Sequence, residues 1–195
     1  NRRQPDAGGA ALMAGSFAAR RKQSLWAKTG PTSRLLFGSF VIATIGLLGL
    51  TRNDIFGLSF AWPHAALWGA VGWGRVGLSV RPMIMLIVFG MIQDVIFHAP
   101  FGSFEVINLM TYAASTAIAG EFDVTGEPLI AIASTVLLFT GAFLLLWLLA
   151  STLEDHAVRM VPIIAAMMTT GLLYAVLHKM FDLGRRPGET VGQAA

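Results

Sequence analysis

The sequence predicts an all-α, polytopic transmembrane helical bundle of about six spans. Three observations carry this prediction: the composition, the long apolar runs and the placement of the basic residues. Of the 195 residues, 55% are hydrophobic and only 13% are charged, and the mean hydropathy is +0.66. A soluble domain typically has about 25% charged residues. The chain therefore has too little charge to cover its surface in water, and lipid is the expected solvent.

Each long apolar run is interpreted as one span, since a helix crosses the hydrocarbon core with about 20 residues. The second run is the weakest, because Pro63 interrupts it and because it is rich in glycine and tryptophan. Five spans are therefore the alternative to six. The six predicted spans are 35–50, 58–73, 82–97, 104–120, 129–150 and 161–181.

The two ends of the chain, 1–34 and 182–195, are predicted to be cytoplasmic segments. The first is basic, and its residues 10–28 fit either an interfacial helix on anionic lipid or a disordered basic tail. A cleavable signal peptide is not expected, because the first long apolar run begins only at Leu35. Met13 is a candidate native start.

The Lys and Arg residues predict the orientation, because they accumulate on the cytoplasmic side of membrane proteins. With six spans and a cytoplasmic N-terminus, twelve of the 14 lie inside and only Arg52 and Arg159 lie outside. Both termini are therefore expected in the cytoplasm. Since the basic residues flank apolar runs, they indicate a lipid bilayer as partner and no nucleic acid.

No catalytic or metal-binding motif is present in the sequence. The chain has no cysteine, which excludes disulfides and thiolate ligands. It contains no HExxH, GxSxG or P-loop pattern, and its four histidines, at 64, 98, 156 and 178, lack ligand spacing. The glycines between 69 and 77 resemble a nucleotide-binding fingerprint, but no predicted strand precedes them. We therefore expect no enzyme, no metal site and no cofactor.

Asp94 is the most informative single residue, because an ionisable group within a span is costly and needs a reason. Gly90, Asp94 and His98 are spaced i, i+4 and i+8, which places them along one helix face. Gly90 would let a neighbouring helix approach closely. Asp94 and His98 could share a hydrogen bond or face a polar partner. The alternative is that Asp94 only bonds a neighbouring helix or caps the following turn.

A turn and a second polar stripe follow the third span. Pro100 and Gly102 predict a tight turn, and Glu105 lies where the dipole of the next helix favours an acidic side chain. Asn108 and Tyr112 continue a polar stripe that is typical of a face turned towards protein. We expect an antiparallel hairpin with a polar seam. The predicted seam consists of Gly90, Asp94, His98, Pro100, Gly102, Glu105, Asn108 and Tyr112.

The segment from Pro82 to Asp94, with Pro100 and Gly102, resembles the rod-shape-determining protein MreD family. That family typically has a G-x-x-x-D helix end, a short turn with a P-x-G element, and then another apolar helix. The matching residues here are Gly90, Asp94, Pro100 and Gly102. The resemblance is strongest over 82–120, whereas Glu105 and the long N-terminal segment depart from the family pattern.

The resemblance implies a non-enzymatic scaffold of the bacterial inner membrane, in the machinery of cell elongation. Its implied partners are an MreC-like bitopic protein, MreB-like actin filaments and the lateral peptidoglycan synthases. The seam would then fix the hairpin that docks the bitopic partner. The family's fold is similar to that of substrate-binding subunits of energy-coupling-factor vitamin transporters, which supplies the alternative function. In that case Asp94, His98, Asn108 and Tyr112 would line a ligand cavity on the outer side.

Overall fold

The computed structural model describes residues 30–49, 54–55, 58–59, 62–122, 128–153 and 159–183. This part of the chain contains six α-helices and one pair of two-residue strands, so the predicted all-α class is confirmed. The strands pair antiparallel, with Asp54 opposite Ser59 and Ile55 opposite Leu58. The elements are α1 (Pro31–Leu48), β1 (Asp54–Ile55), β2 (Leu58–Ser59), α2 (Ala66–Gly74), α3 (Val80–Phe97), α4 (Ser103–Phe122), α5 (Pro128–Leu153) and α6 (Met160–Phe181).

The predicted terminal segments lie almost wholly outside the described residues. Of 1–34, the structure describes only residues 30–34, and helix α1 already begins at Pro31 rather than at the expected residue 35. Proline is well suited to the first helical position, where its missing N–H has no intrahelical role. Of 182–195, only Asp182 and Leu183 are described.

Four helices in the described part are long and apolar enough to cross a membrane: α1, α3, α5 (over Leu129–Thr152) and α6. Large apolar side chains on these helices are exposed, for example Leu129, Val161 and Val176, each at 76%. Conversely, seven polar or charged residues are buried in the described interior. This distribution suits a protein whose surroundings are lipid, because water would favour the reverse.

The second predicted span, 58–73, is shorter as a helix than expected. Its start forms β2, and among the described residues of this run the helix comprises Ala66–Gly74, which makes nine residues or about 14 Å. Pro63 has no amide N–H to donate and stands before the helix rather than within it. All nine residues of α2 are buried, so this helix lies inside the bundle.

Glycines explain why the other helices can surround α2 so closely. A Cβ added at Gly72 would lie 2.4 Å from Phe181 Cβ on α6, and one at Gly74 would lie 2.7 Å from Ser115 Cβ on α4. Both distances are shorter than real carbon–carbon contacts. Atoms of α4 and α6 therefore contact the backbone of α2 directly, in the space that a side chain would otherwise fill.

The helix termini gather at two ends of the bundle. At the first, Arg81 Nη1 of α3 donates to Thr32 Oγ1 of α1 over 3.2 Å, and Arg34 Nη1 of α1 donates to the backbone oxygen of Asp182 after α6 over 3.3 Å. We call this the basic end. At the other, called the turn end, α1 and α3 finish and α4 and α6 begin.

The segment containing α2 runs between the same two ends. Near the end of α1, Trp62 Nε1 donates to Ile45 O over 2.8 Å. After α2, Arg75 Nη2 donates to Ala131 O over 3.0 Å, at the start of α5. The segment with α2 therefore runs in the direction opposite to α1 and α3, and the short helix α2 forms its central part.

Candidate functional site

Asp94 joins the end of α3 to the start of α4. Its side chain is 1% exposed, and its Oδ2 and Oδ1 accept hydrogen bonds from the amides of Gly102 at 2.6 Å and Phe104 at 2.9 Å. These amides belong to the start of α4, where backbone N–H groups have no partner within the helix. Of the two expectations for Asp94, the structure shows the capping one, and the cap comes from the preceding helix.

The backbone of Asp94 also takes part in the turn. Ala99 N donates to Asp94 O over 3.0 Å, which terminates α3. His98 and Gly102 both have positive φ angles, of 54° and 93°. Glycine adopts such angles without steric cost, whereas histidine does so less readily. Asp94 thus terminates α3 through its backbone oxygen and caps α4 through its carboxylate.

His98 does not join Asp94, contrary to one of the sequence expectations. Its ring is exposed, and its Nδ1 lies 3.3 Å from Ile96 O, while both oxygens of Asp94 are occupied by α4. Pro100 is exposed as well. The left-handed backbone at His98 turns its side chain out of the line expected from helical spacing. These two residues lie at the surface of the turn end, outside the seam.

Gly90 brings the two helices of the hairpin into close contact. A Cβ at this position would lie 2.6 Å from Glu105 Cα and 2.7 Å from Glu105 N, so the α4 backbone occupies that space. Glu105 is half-buried in the first turn of α4, where its charge is favoured. Gly90 and Asp94 are therefore one helical turn apart and hold the first turn of α4 at two points.

Asn108 continues the seam in the fully buried interior. Its Nδ2 donates to Gln93 Oε1 over 3.1 Å, whereas its Oδ1 accepts no hydrogen bond from the residues that the structure describes. His64 Nδ1 is likewise buried, with no hydrogen-bond partner in the described part of the chain. Both residues line a small cavity of about 10 Å³. This volume is about enough for one water molecule with polar neighbours.

Tyr112 connects the seam to the loop between α2 and α3. Its hydroxyl donates to Gly77 O at 2.9 Å and accepts from Ser79 N at 2.8 Å. One turn further, Ser115 Oγ donates to Val71 O of α2 at 2.8 Å. The polar face of α4 is thus bonded to backbone groups of neighbouring elements, and its role here is to fix irregular backbone inside the bundle.

A second polar connection, between α2 and α6, was missed by sequence reasoning. Thr170 Oγ1 accepts from His64 N at 3.1 Å, and its backbone oxygen accepts from Trp68 Nε1 at 2.9 Å. Thr170 is fully buried. In the sequence, His64 stands beside Pro63 in an apolar run, but its spacing from the other histidines indicates only the lack of a metal-ligand set, and nothing local to it predicts a contact with α6.

Within the described residues the predicted seam divides into three parts. Gly90, Asp94, Gly102 and Glu105 meet at the start of α4, Asn108 and Tyr112 lie deeper in the bundle, and His98 and Pro100 lie outside it. No group of three His, Cys, Asp or Glu residues in this part of the chain is placed to hold a metal ion. The chain matches no known family model, no curated protein and no solved structure.

Proposed function

We propose that this chain is a non-enzymatic scaffold of the bacterial inner membrane that serves the cell-elongation machinery. In this role it docks an MreC-like bitopic protein and links it to MreB-like filaments and the lateral peptidoglycan synthases. The observation that carries the proposal is the α3–α4 hairpin. Its Gly90, Asp94 and Gly102 carry the resemblance to the MreD family. Gly90 allows the close contact between the helices, Asp94 caps α4, and Gly102 supplies the positive φ angle of the turn.

A rigid hairpin is what a docking element requires, because binding then costs little ordering of the free protein. The Asp94 carboxylate and the contact at Gly90 fix the angle between α3 and α4. Phe101, 73% exposed at the tip, and Val95, 66% exposed on α3, are then held in one arrangement. These apolar side chains form the face that we assign to the bitopic partner.

The proposed orientation puts the basic end in the cytoplasm. Of the five Lys and Arg residues in the described part, four lie at this end: Arg34, Arg75 and Arg81 by their hydrogen bonds, and Lys179 by its place in the last turn of α6. Arg159 precedes α6 at the turn end. This asymmetry supports a cytoplasmic basic end.

Cysteine labelling tests that orientation directly, because the native chain contains no cysteine. Arg159→Cys should react with a membrane-impermeant maleimide in intact cells. Lys179→Cys should react only after the membrane has been permeabilised. The reverse pattern would contradict the orientation, and labelling of both positions in intact cells would contradict an embedded bundle.

The transporter alternative receives less support from the polar seam. A ligand pocket for a small molecule usually has a volume of about 300–1,000 Å³ with free polar groups. The cavity beside Asn108 measures only about 10 Å³. Asp94 and Tyr112, two of the proposed ligand contacts, bind backbone groups of the protein instead.

Controlled depletion in the host bacterium tests the scaffold function. Cells should round up and lose dispersed lateral labelling by a fluorescent wall precursor. Wild-type chain should restore rod shape, whereas Asp94→Leu should not, even where immunoblots show equal membrane levels. Unchanged shape on depletion, with growth restored by a particular vitamin, would overturn the scaffold function and favour the transporter subunit.

A matched pair of variants separates docking from folding. Phe101→Ala removes an exposed side chain and should weaken co-purification of the bitopic partner without lowering thermal stability. Leu129→Ala, at the 76% exposed start of α5, is the control and should leave co-purification unchanged. Equal loss in both variants, or in neither, would contradict the assigned docking face.

A further inference from the structure

A lateral groove lies between α1 and α3 near the turn end of the bundle. It encloses about 200 Å³, and its walls include Ala43, Gly46, Trp62, Phe89 and Phe97. Gln93 is the one residue with a polar amide side chain among the lining residues that the structure describes. The groove continues into exposed apolar surface at Leu47 and Ile92, which are 63% and 48% exposed. It therefore opens onto the surface that faces lipid.

The length of the groove decides what kind of apolar occupant fits it. It extends from Ile42 on α1 to Gly49 directly after that helix, and on α3 from Phe89 to Phe97, which corresponds to about 10–12 Å of helix. The hydrocarbon core is about 30 Å thick. A partner's transmembrane helix would need a seam through both leaflets, whereas this groove lies in one. An extended acyl chain, which starts at the edge of the core, fits that depth.

Gln93 adds a polar group at the appropriate level. Its Oε1 accepts from Asn108, while its Nε2 has no acceptor among the described residues. Gln93 is half-buried and lies four residues before the end of α3, or about 6 Å from it. The edge of the hydrocarbon core, where phospholipid ester carbonyls are found, is within reach of such a side chain. Gln93 Nε2 is a donor and requires an acceptor. An ester carbonyl meets this requirement, because it accepts a hydrogen bond and cannot donate one.

We propose that this groove binds the upper part of one acyl chain of a glycerophospholipid, whose ester carbonyl accepts a hydrogen bond from Gln93 Nε2. The lipid belongs to the leaflet at the turn end, which is the outer leaflet in the orientation given above. The site requires only that the chain is embedded in a bilayer. It therefore stands whether or not the chain serves cell elongation.

Photo-crosslinking tests the site on the full-length chain. The purified protein is placed in vesicles of phosphatidylethanolamine and phosphatidylglycerol that contain a trace phospholipid with a diazirine on the upper acyl chain. After irradiation, mass spectrometry maps the adducts. Adducts should concentrate on residues 42–49 and 89–97. A distribution spread evenly over the exposed apolar surface of α5 and α6 would overturn the proposal.

Gly46→Leu blocks the groove without a predictable clash, because a Cβ at Gly46 meets nothing within 4 Å. This variant should lose most of the groove adducts. Gly141→Leu is the matched control, since Gly141 on α5 also has open space for a Cβ and does not line the groove. Equal labelling of the groove in Gly46→Leu and Gly141→Leu would overturn the proposal.

The role of Gln93 is tested with an ether-linked phospholipid, which has the same chain but no ester carbonyl. The wild-type chain should prefer the ester lipid by about two- to tenfold, the value of one net hydrogen bond. Gln93→Leu should remove this preference while retaining groove labelling. A wild-type chain without preference would overturn the hydrogen bond. Efficient disulfide dimerisation of Gly46→Cys in the same vesicles would overturn the proposal of a lipid occupant and identify a second copy of the chain in the groove.

Discussion

Helices α2 and α5 show that similar apolarity can lead to opposite environments. Both are composed almost wholly of apolar and small residues, yet all nine residues of α2 are buried, whereas α5 extends over 26 residues and exposes Leu137 and Leu144 to 66% and 60%. Hydropathy alone places both in the membrane region. It does not determine which of them faces lipid.

Backbone contacts account for the difference. Helix α2 has Gly69, Gly72 and Gly74, and at each of them an added Cβ would meet a neighbouring atom at less than 3.0 Å. Helix α5 has Gly141, where a Cβ meets nothing within 4 Å. Small residues at helix contacts allow close packing, which replaces the missing hydrophobic force between helices in lipid. The buried helix thus differs from the exposed one in that its glycines lie at contacts with neighbouring atoms.

The largest expected effect comes from Gly72→Ala. The added methyl would lie 2.4 Å from Phe181 Cβ and 3.0 Å from Phe181 O, so α2 and the end of α6 must separate. We expect a loss of about 3 kcal/mol in the free energy of unfolding. Thermal denaturation in mild detergent, followed by intrinsic tryptophan fluorescence, measures the loss.

Gly141→Ala is the control for that comparison. Its new methyl has open space, and alanine is favoured over glycine within a helix by about 0.5–1 kcal/mol. This variant should be as stable as the wild-type chain or slightly more so. A similar loss in both variants would contradict the explanation by local packing.

The second effect concerns the hairpin, whose fixed turn differs from the plain apolar faces of α5. Asp94→Leu leaves the amides of Gly102 and Phe104 without an acceptor, and each unpaired buried amide costs about 1–3 kcal/mol. Because the bond to the Gly102 amide is only partly buried, we take the lower end of that range for each amide and expect a total loss of about 2 kcal/mol. Asp94→Asn keeps one acceptor oxygen and should lose about half as much. Losses below about 0.5 kcal/mol in both variants would show that the cap contributes little.

The sequence predicts the lipid-facing helices better than the interior. The bounds predicted for the third and sixth runs, 82–97 and 161–181, lie within two residues of α3 and α6, because apolar runs and flanking charges define them directly. The hairpin expected from the spacing of Gly90 and Asp94 also agrees with the structure, in which both residues contact the start of α4. The second run, 58–73, is predicted less well, because its burial by neighbours that are distant in sequence leaves no local pattern.

His98 and His64 show the same limit for the site. Helical spacing assigns His98 to the face of Asp94, but the left-handed backbone at the end of α3 moves it to the surface. His64 belongs to no helix, and its surroundings of Phe97, Phe104 and Phe143 come from three different helices or helix ends. Such a cluster depends on tertiary packing and has no spacing to recognise.

The smallest expected effect concerns the polar link between α2 and α6. Thr170→Val retains the shape of the side chain but removes the oxygen that accepts from His64 N, at a cost of about 1–2 kcal/mol. Thr140→Val on the exposed face of α5 removes only a bond to Val136 O of its own helix, and should change stability by less than about 0.5 kcal/mol. Urea or thermal unfolding of the two variants in the same detergent measures the difference. If Thr140→Val proved as destabilising as Thr170→Val, the threonine bonds within each helix would explain both losses, and the bond from His64 N to Thr170 Oγ1 would contribute nothing to holding α2 in the bundle.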